Sequence, residues 1–275
     1  MKVRRVLVAV DGSPESRVAL AAAARLAGAA GGELVGLFVE DVELLRLAGL
    51  PFAREAGVSS GVFRQIQTAD IERRFRVAAE RAREALREAA SASGLRSSFR
   101  VTRGRVVAEI LAAAPDAEVV AAGKRSGHGP PGSRLGATAR SLICHVRVPI
   151  LVGGVREMSP GPAVILSAAA EVPPAALRFV ALLARAFGAP EVVVIAEGGE
   201  SSGVEVPGIP VRRRGFPSIS SGGVQALPEI VGASTVVLIR PEGTAAHELL
   251  VALAEAVACP VFVIGAAGLA ELLSA

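Results

Sequence analysis

A short apolar run near the N-terminus constrains the fold most. Val6 to Val10 carries no polar residue, which is typical of a strand covered on both faces. A turn at Asp11-Gly12 follows, and the next residues, Ser13 and Pro14, suit the N-cap and first position of a helix. An alanine-rich stretch and a second apolar run, Leu34 to Val39, complete a strand–helix–strand unit. Right-handed crossover makes its two strands parallel.

The alternation of strand and helix continues to about residue 155. Strands are predicted at 6–10, 34–39, 99–102, 118–122 and 149–152, and helices at 14–28, 68–93, 106–114 and 137–145. This order predicts an open parallel α/β layer. The segment 42–67 breaks the pattern and is apolar for a loop, so we expect it to cover either a ligand or another subunit.

The same order of elements recurs after a linker-like stretch, Glu157 to Pro162. Strands are predicted at 164–167, 191–196, 209–213, 235–240 and 260–264, and helices at 173–187, 224–230 and 244–256. The endings VPILVGG and CPVFVIG match in pattern. We therefore expect an internal duplication, with one domain at residues 1–156 and a second at 157–275, each built on an open parallel sheet of five strands.

Charge differs between the two predicted domains. Residues 1–156 hold 24 Lys and Arg against 15 Asp and Glu, whereas residues 157–275 hold 6 against 11. The first domain therefore attracts an anion more readily. Trp and Tyr are absent, so aromatic stacking partners are scarce and we expect no nucleic acid ligand.

Three features of the sequence indicate the cellular compartment. No apolar run reaches the ~18 residues of a membrane-spanning helix, so we expect no membrane insertion. The basic N-terminus enters the Asp11-Gly12 turn without a small-residue cleavage site, which argues against a signal peptide. Two cysteines, Cys144 and Cys259, do not make a disulfide framework. We expect a cytoplasmic protein.

A glycine-rich, basic loop from Gly123 to Gly136 separates the fourth strand from the next helix. Glycine lets the backbone approach a ligand closely, helix N-termini attract anions, and Lys124 and Arg125 can neutralise phosphate. Ligands of open parallel sheets bind beyond the carboxyl ends of the strands, where Asp11 also lies. Two plainer interpretations stay open: Asp11 as a turn carboxylate that caps the next helix, and the segment as an ordinary surface loop.

The order and residues resemble the universal stress protein family in its tandem, two-domain form. The matching pieces are RRVLVAVDGSPES, GELVGLFVED, AEVVAAG and LGATARSLICHVRVPILV. The resemblance covers essentially all of residues 1–155 and, more weakly, 160–266. It implies two doubly wound parallel five-stranded sheets of the adenine nucleotide alpha hydrolase type. Some members of this family bind ATP and others do not.

The resemblance also implies roles for individual residues. Asp11 would face the ribose or a phosphate-bound Mg²⁺, Val10 would line the base, and the backbone of Val39 would hydrogen-bond adenine. The loop residues expected around the phosphates are Gly123, Lys124, Gly127, Gly136, Ala137 and Thr138.

The family's ATP-binding loop reads Gly, two residues, Gly, nine residues, Gly, then Ser or Thr. Ser126 and Ala137 depart from that pattern, although Gly127 and Thr138 each follow one residue later.

The second copy has lost these features. Ala168 stands where Asp11 does and Arg240 where Gly123 does, and the loop that follows is six residues shorter. We expect no nucleotide there and a structural role instead. In this family the final strands pair across a dimer; here the strands at Pro149 and Pro260 could pair within one chain.

The sequence is consistent with three functions. The first is a stress-response, regulatory binding module that takes ATP, with or without Mg²⁺, or a related adenine nucleotide in the first domain. The second is an interaction protein that binds no nucleotide and presents the same surface to a protein partner. The third is a weak ATP-hydrolysing enzyme, for which no catalytic base or metal-ligand cluster is visible, so we expect no enzyme. The apolar insert 42–67 predicts a homodimer.

Overall fold

The computed structural model describes residues 3–56, 63–125, 135–154, 160–167, 172–197, 206, 208–216, 230, 232–240, 245–265 and 268. We call residues 3–154 the first half and residues 160–268 the second half. The first half contains β1 (Arg5–Ala9), α1 (Pro14–Ala30), β2 (Glu33–Asp41), α2 (Val42–Ala48), β3 (Arg54–Ala56), β4 (Phe63–Gln65), α3 (Thr68–Ala92), β5 (Ser97–Gly104), α4 (Val106–Ala113), β6 (Val119–Ala122), α5 (Ala137–His145) and β7 (Ile150–Val152). The second half contains β8 (Ala163–Ser167), α6 (Pro174–Phe187), β9 (Val192–Glu197), β10 (Val211–Phe216), β11 (Thr235–Ile239), α7 (Ala245–Ala256) and β12 (Val261–Ile264).

Local sequence accounts for the first helix. The Ser13 hydroxyl accepts a hydrogen bond from the Ser16 N–H at 3.1 Å, which satisfies one of the orphan donors at the start of α1. Pro14 occupies the first turn, as predicted. The helix runs two residues past Gly28 and ends at Gly31, whose φ of +70° is the left-handed cap conformation that glycine adopts without strain.

The main sheet is continuous across both halves. Its strand order is β10-β9-β8-β11-β12-β7-β6-β1-β2-β5, and every neighbouring pair is parallel except β7 with β12. Each half contributes five strands, so the chain forms one ten-stranded, mostly parallel sheet where a five-stranded sheet was predicted for each domain. Within each half, the five strands of this sheet lie in the same spatial order. The strand that is third in the sequence is at the outer edge, and the second, first, fourth and fifth follow in turn.

The junction of the halves is the β7–β12 pair, which we call the seam. Ile150, Leu151 and Val152 face Val263, Phe262 and Val261 in antiparallel register, and all six are buried. The predicted pairing of the last strands within one chain is confirmed. It leaves no open sheet edge at either strand, because each is bonded on both sides.

Helices cover both faces of the sheet. Buried residues of α1, α3 and α6 pack on one face, and those of α4, α5 and α7 pack on the other. Strands buried on both faces explain the continuous apolar runs in the sequence. No helix among the described residues is long and apolar enough to cross a membrane.

Segment 42–67 folds more than its sequence predicted. Its helical start is α2, and β3 and β4 then form a two-stranded antiparallel hairpin. The hairpin was not predicted, because each strand is only three residues long and the intervening glycine and serine residues favour a loop. Residues 57–62 lie outside the described residues.

The second half departs more from prediction. Strand β10 begins at Val211 rather than Ile209 and ends at Phe216, since its register with β9 runs the full six residues. The helix predicted at 224–230 and the loop at 198–208 lie largely outside the described residues.

Candidate functional site

A cavity of about 530 Å³ lies at the carboxyl ends of β1, β2 and β6. This is the edge at which ligands of open parallel sheets bind, and the volume is ordinary for a small-molecule site. Residues lining the cavity are Ala9, Val10, Asp11, Ser16, Leu37, Phe38, Val39, Asp41, Leu44, Glu55, Ile66, Ile71, Arg74, Phe75, Ala78, Val106, Ile110, Ala122, Gly123, Arg125, Thr138 and Ala139. Five of the predicted site residues are therefore brought together: Val10, Asp11, Val39, Gly123 and Thr138.

Asp11 is positioned by the turn after β1. Its Oδ1 accepts a hydrogen bond from the Ser13 N–H at 2.9 Å, as in an Asx turn. Gly12 has a φ of +78°, a conformation that side-chain-bearing residues rarely adopt. Asp11 is thus a turn carboxylate, as one interpretation predicted, but Ser13 rather than Asp11 caps α1; Asp11 also lines the cavity.

The backbone of Val39 is directed into the cavity by the register of β2. The Val10 N–H donates to the Leu37 carbonyl at 3.0 Å, so the polar backbone groups of Leu37 point towards β1. The Leu34 N–H donates to the Arg96 carbonyl, so Leu34 points the other way, towards β5. Backbone groups alternate along a strand, and Val39 therefore points to the β1 side. Since β1 ends at Ala9, the N–H and C=O of Val39 extend past it into the cavity.

Apolar residues make up much of the cavity wall. Ile71 and Phe75 of α3 line it together with Val39 and Val10. Segment 42–67 contributes Leu44 and Ile66. The insert thus forms part of the cavity wall, and its predicted role of covering a ligand or another subunit stays a prediction.

Charged groups lie on two sides of the cavity. Arg125 forms an ion pair with Glu15 in the first turn of α1, with Nη2 and Oε1 2.9 Å apart. Glu55 of β3 binds Arg74 of α3 at 2.8 Å and Arg64 of β4 at 3.0 Å. The hydrogen bond from Arg74 lowers the pKa of the Glu55 carboxyl below its ordinary value. This triad ties the hairpin to α3 where both border the cavity.

The first turn of α5 supplies uncapped donors. Its N-cap is Gly136, which has no side chain to accept a hydrogen bond, and the first intrahelical bond runs from the Arg140 N–H to the Gly136 carbonyl at 3.0 Å. The N–H groups of Ala137, Thr138 and Ala139 are therefore outside the helical ladder. Thr138 and Ala139 line the cavity beside Arg125, whereas Ala137 does not.

Two loop residues are placed differently from prediction. Lys124 is only 2% exposed and does not line the cavity; its ammonium donates to the carbonyl oxygens of Glu255, at 3.1 Å, and Val257 in the second half. Gly136 does not offer its N–H to a ligand, because that group donates to the Lys124 carbonyl at 2.9 Å. Gly127 lies outside the described residues, as do its neighbours from 126 to 134.

Gly123 is a glycine for a packing reason. A Cβ there would lie 3.0 Å from the Ser16 nitrogen and 3.1 Å from the Glu15 carbonyl carbon. Both are backbone atoms of α1, which cannot move aside without disturbing the helix. The residue lets the end of β6 approach α1 closely, and that approach brings Arg125 to Glu15.

Sequence reasoning missed Arg74 and Glu55. Helical spacing carried a usable signal for Arg74: it lies three residues after Ile71 and four before Ala78, both on the apolar face of α3. No signal of this kind exists for Glu55, because its place depends on the hairpin.

The corresponding edge of the second half is built differently. Arg240, after β11, donates through its guanidinium to the carbonyl oxygens of Val146 at 3.0 Å and Ile143 at 2.5 Å. Its side chain thus leaves its own half and reaches the C-terminal end of α5. Ala168, the predicted counterpart of Asp11, lies outside the described residues.

Comparison with known proteins places this geometry in context. Residues 2–154 match the model of the universal stress protein family. No curated protein gives a significant match.

Among solved structures, a universal stress protein from Archaeoglobus fulgidus has 18% identity and a TM-score of 0.62, and the alignment covers 96% of this chain and 97% of that one. A functionally unknown protein from Pseudomonas aeruginosa has 14% identity and a TM-score of 0.57, with 99% and 96% covered. At these identities the likeness concerns the fold, and it extends over both halves.

Proposed function

The chain belongs to the universal stress protein family, and we propose that it binds ATP or a related adenine nucleotide in its first half as a stress-response regulatory module. The observation that carries this proposal is the composition of the cavity at the ends of β1, β2 and β6. Elements β2, α3 and the insert supply apolar side chains and the backbone of Val39, whereas the end of β6 and the first turn of α5 supply Arg125 and uncapped N–H groups. A nucleotide has the same division between base and phosphates.

The apolar residues fit a purine base. Val10, Ile71 and Phe75 provide apolar contact. Val39 offers one N–H donor and one C=O acceptor side by side, and the Watson–Crick edge of adenine carries an acceptor, N1, beside a donor, the N6 amino group. Asp11, next to Val10, is placed to accept hydrogen bonds from ribose hydroxyls or to bind a Mg²⁺ ion that arrives with the phosphates.

Arg125 and the uncapped N–H groups fit phosphate. The helix N-terminus at Ala137 to Ala139 attracts anions through its N–H groups and its dipole. Arg125 adds a positive charge at the cavity, whereas Lys124, which was predicted for the same role, does not line it. Arg125 must leave Glu15 to bind phosphate, a modest cost because the pair is partly solvated.

We also propose that the chain is a tandem duplication with domains at 1–156 and 157–275 and a nucleotide site in the first alone. The repeated strand order of the two halves supports this, and so does the departure of the Arg240 side chain from its own half. A cytoplasmic location and a binding rather than catalytic role complete the proposal.

A second candidate function is protein binding through the insert, with or without nucleotide. Phe52 is 75% exposed and Phe63 is 68% exposed, and Leu47 and Leu50 of the same segment are also exposed. An apolar patch of this kind is typical of an interaction surface. The predicted homodimer would use it.

The absorbance spectrum gives a direct test of nucleotide binding. With no Trp or Tyr, the protein absorbs weakly at 280 nm, so a co-purifying nucleotide dominates at 260 nm. We expect denatured protein to release an adenine nucleotide on chromatography, and added Mg-ATP to raise the Tm of nucleotide-free protein. A hundredfold excess over Kd corresponds to about 2.7 kcal/mol of stabilisation. If nothing is released and Mg-ATP leaves the Tm unchanged, the protein-binding function is favoured instead.

A further inference from the structure

Lys124 contacts the second half, for which we propose no nucleotide site of its own. Lys124 lies between two residues that line the cavity, Gly123 and Arg125. Its side chain points the other way, crosses to the second half and donates to the carbonyls of Glu255 and Val257.

Those carbonyls form a natural cation site. Helix α7 ends at Ala256, so Glu255 belongs to its last turn and Val257 directly follows it, where carbonyl groups lack helical partners. The C-terminal end of a helix also carries negative partial charge, which favours a buried ammonium. Burial raises the pKa of the nearby Cys259 thiol to about 12, so that thiol is uncharged at neutral pH and the ammonium is stabilised by the carbonyls.

Both ends of the glycine-rich loop converge on the same residue of the second half. Before the loop, the Lys124 ammonium donates to the Glu255 carbonyl. After the loop, the Arg140 guanidinium binds the Glu255 carboxylate, with Nη2 and Oε1 2.5 Å apart. The Gly136 N–H donates to the Lys124 carbonyl at 2.9 Å and closes the base of the loop. Glu255 therefore fixes the two segments that carry Arg125 and the first turn of α5.

We infer that the second half positions the phosphate-binding groups of the first half, with Lys124 and Glu255 as the positioning residues. This inference rests on the proposed nucleotide site, since Arg125, Thr138 and Ala139 are the groups held in place. Lys124 does not touch the ligand; it acts through its neighbours in the chain.

The chain contains its own control. Arg240 makes the reciprocal contact, from the second half to the C-terminal end of α5 in the first. Both contacts join the halves through a cationic side chain and helix-terminal carbonyls. Lys124 adjoins the cavity and Arg240 does not, so removal of the two side chains separates loop positioning from docking of the halves.

Binding of Mg-ATP to purified full-length variants is the first test. Lys124→Met is expected to weaken affinity about tenfold, within the range for residues that couple without ligand contact. Arg240→Met should change it by no more than about twofold, as for an independent site. Both variants should lower the Tm, and Lys124→Arg should restore most of the affinity because it keeps a cation. Equal loss of affinity in Lys124→Met and Arg240→Met, or no loss in either, overturns the inference.

Amide hydrogen exchange of nucleotide-free protein is the second test, and it does not depend on ATP. Lys124→Met should accelerate exchange of the Gly136 amide, while Arg240→Met should not. If wild-type protein binds no Mg-ATP, the proposed nucleotide site fails, but the exchange data still decide whether Lys124 holds the loop. Unchanged Gly136 exchange in Lys124→Met overturns the positioning role in either case.

Discussion

The two halves of the chain share one order of strands but differ in the residues that come after each strand. In the first half, β1 leads into a turn carboxylate, Asp11, and β6 leads into Gly123 and a long loop, and a cavity lies between them. In the second half, β11 leads directly into Arg240, whose side chain caps a helix of the other half. The shared strand order thus provides a sheet edge at which a ligand site can form. Whether a site forms there depends on a few residues just beyond the strands.

The two ends of the seam differ in how much space surrounds the glycine that follows each strand. Gly153 follows β7 and Gly265 follows β12, the two strands of the seam. A Cβ at Gly153 would lie 2.8 Å from both the nitrogen and the Cβ of Ala19 in α1, whereas a Cβ at Gly265 would meet, among the described residues, the Arg240 side chain at 3.8 Å.

Substitution of Gly153 should give the largest effect on stability. Gly153→Ala forces the end of β7 away from α1 and is expected to reduce the free energy of unfolding by about 1–3 kcal/mol. The Tm should fall by about 2–4 °C for each kcal/mol. Gly265→Ala is the matched control and should stay close to wild type. Equal Tm values for the two variants would contradict the packing difference between the ends of β7 and β12.

Removal of the Asp11 carboxylate should give the next largest effect. Asp11→Ala is expected to weaken Mg-ATP binding about tenfold, the size of one hydrogen bond to a charged group. Asp11→Asn keeps an acceptor for the Ser13 N–H, so it should retain the Tm while losing affinity. Ala168→Asp tests the second half and should create no binding. The account of a single site breaks if Asp11→Ala and Ala168→Asp change ATP binding equally.

Neutralising Arg125 should have a smaller effect that depends on the phosphates. Arg125→Gln is expected to weaken ATP binding about two- to fivefold, since the side chain is partly exposed and leaves an existing ion pair. Adenosine binding should not change. Calorimetric titrations with ATP and with adenosine distinguish the two, and an equal loss for both would place Arg125 at the base rather than the phosphates.

Acid pH should produce the smallest effect, confined to the insert. Hydrogen bonding to Arg74 lowers the pKa of Glu55 from its ordinary value of 4.5, so the stabilisation is present above that pH and is lost as pH falls through the lowered pKa. Glu55→Gln should thus have a lower Tm than wild type at neutral pH and the same Tm in strong acid. A difference that persists unchanged in acid would show that Glu55 stabilises the hairpin by other means.

The sequence was sufficient for most of the first half. Continuous apolar runs, Ser13 with Pro14, and the break after Gly123 predicted the strands and helices, because each is set by local chemistry. Helix α5 has the predicted bounds. Asp11, Val10 and Val39 reached one cavity because parallel strands end at a common edge.

The remainder depends on contacts between residues far apart in the chain. A basic residue in a glycine-rich loop predicted phosphate binding, yet Lys124 is buried against carbonyls of Glu255 and Val257 some 130 positions away. Continuity of the sheet follows from the antiparallel seam, which the final strands allow but do not require. The β3–β4 hairpin is too short to carry a periodic signal.

A titration of nucleotide-free protein with Mg-ATP that yields both affinity and stoichiometry tests the single-site proposal most directly. We predict one nucleotide per chain, with binding weakened by Asp11→Ala and by Lys124→Met and retained in Arg240→Met. Binding of two nucleotides per chain, or of none, would contradict a single site in the first half.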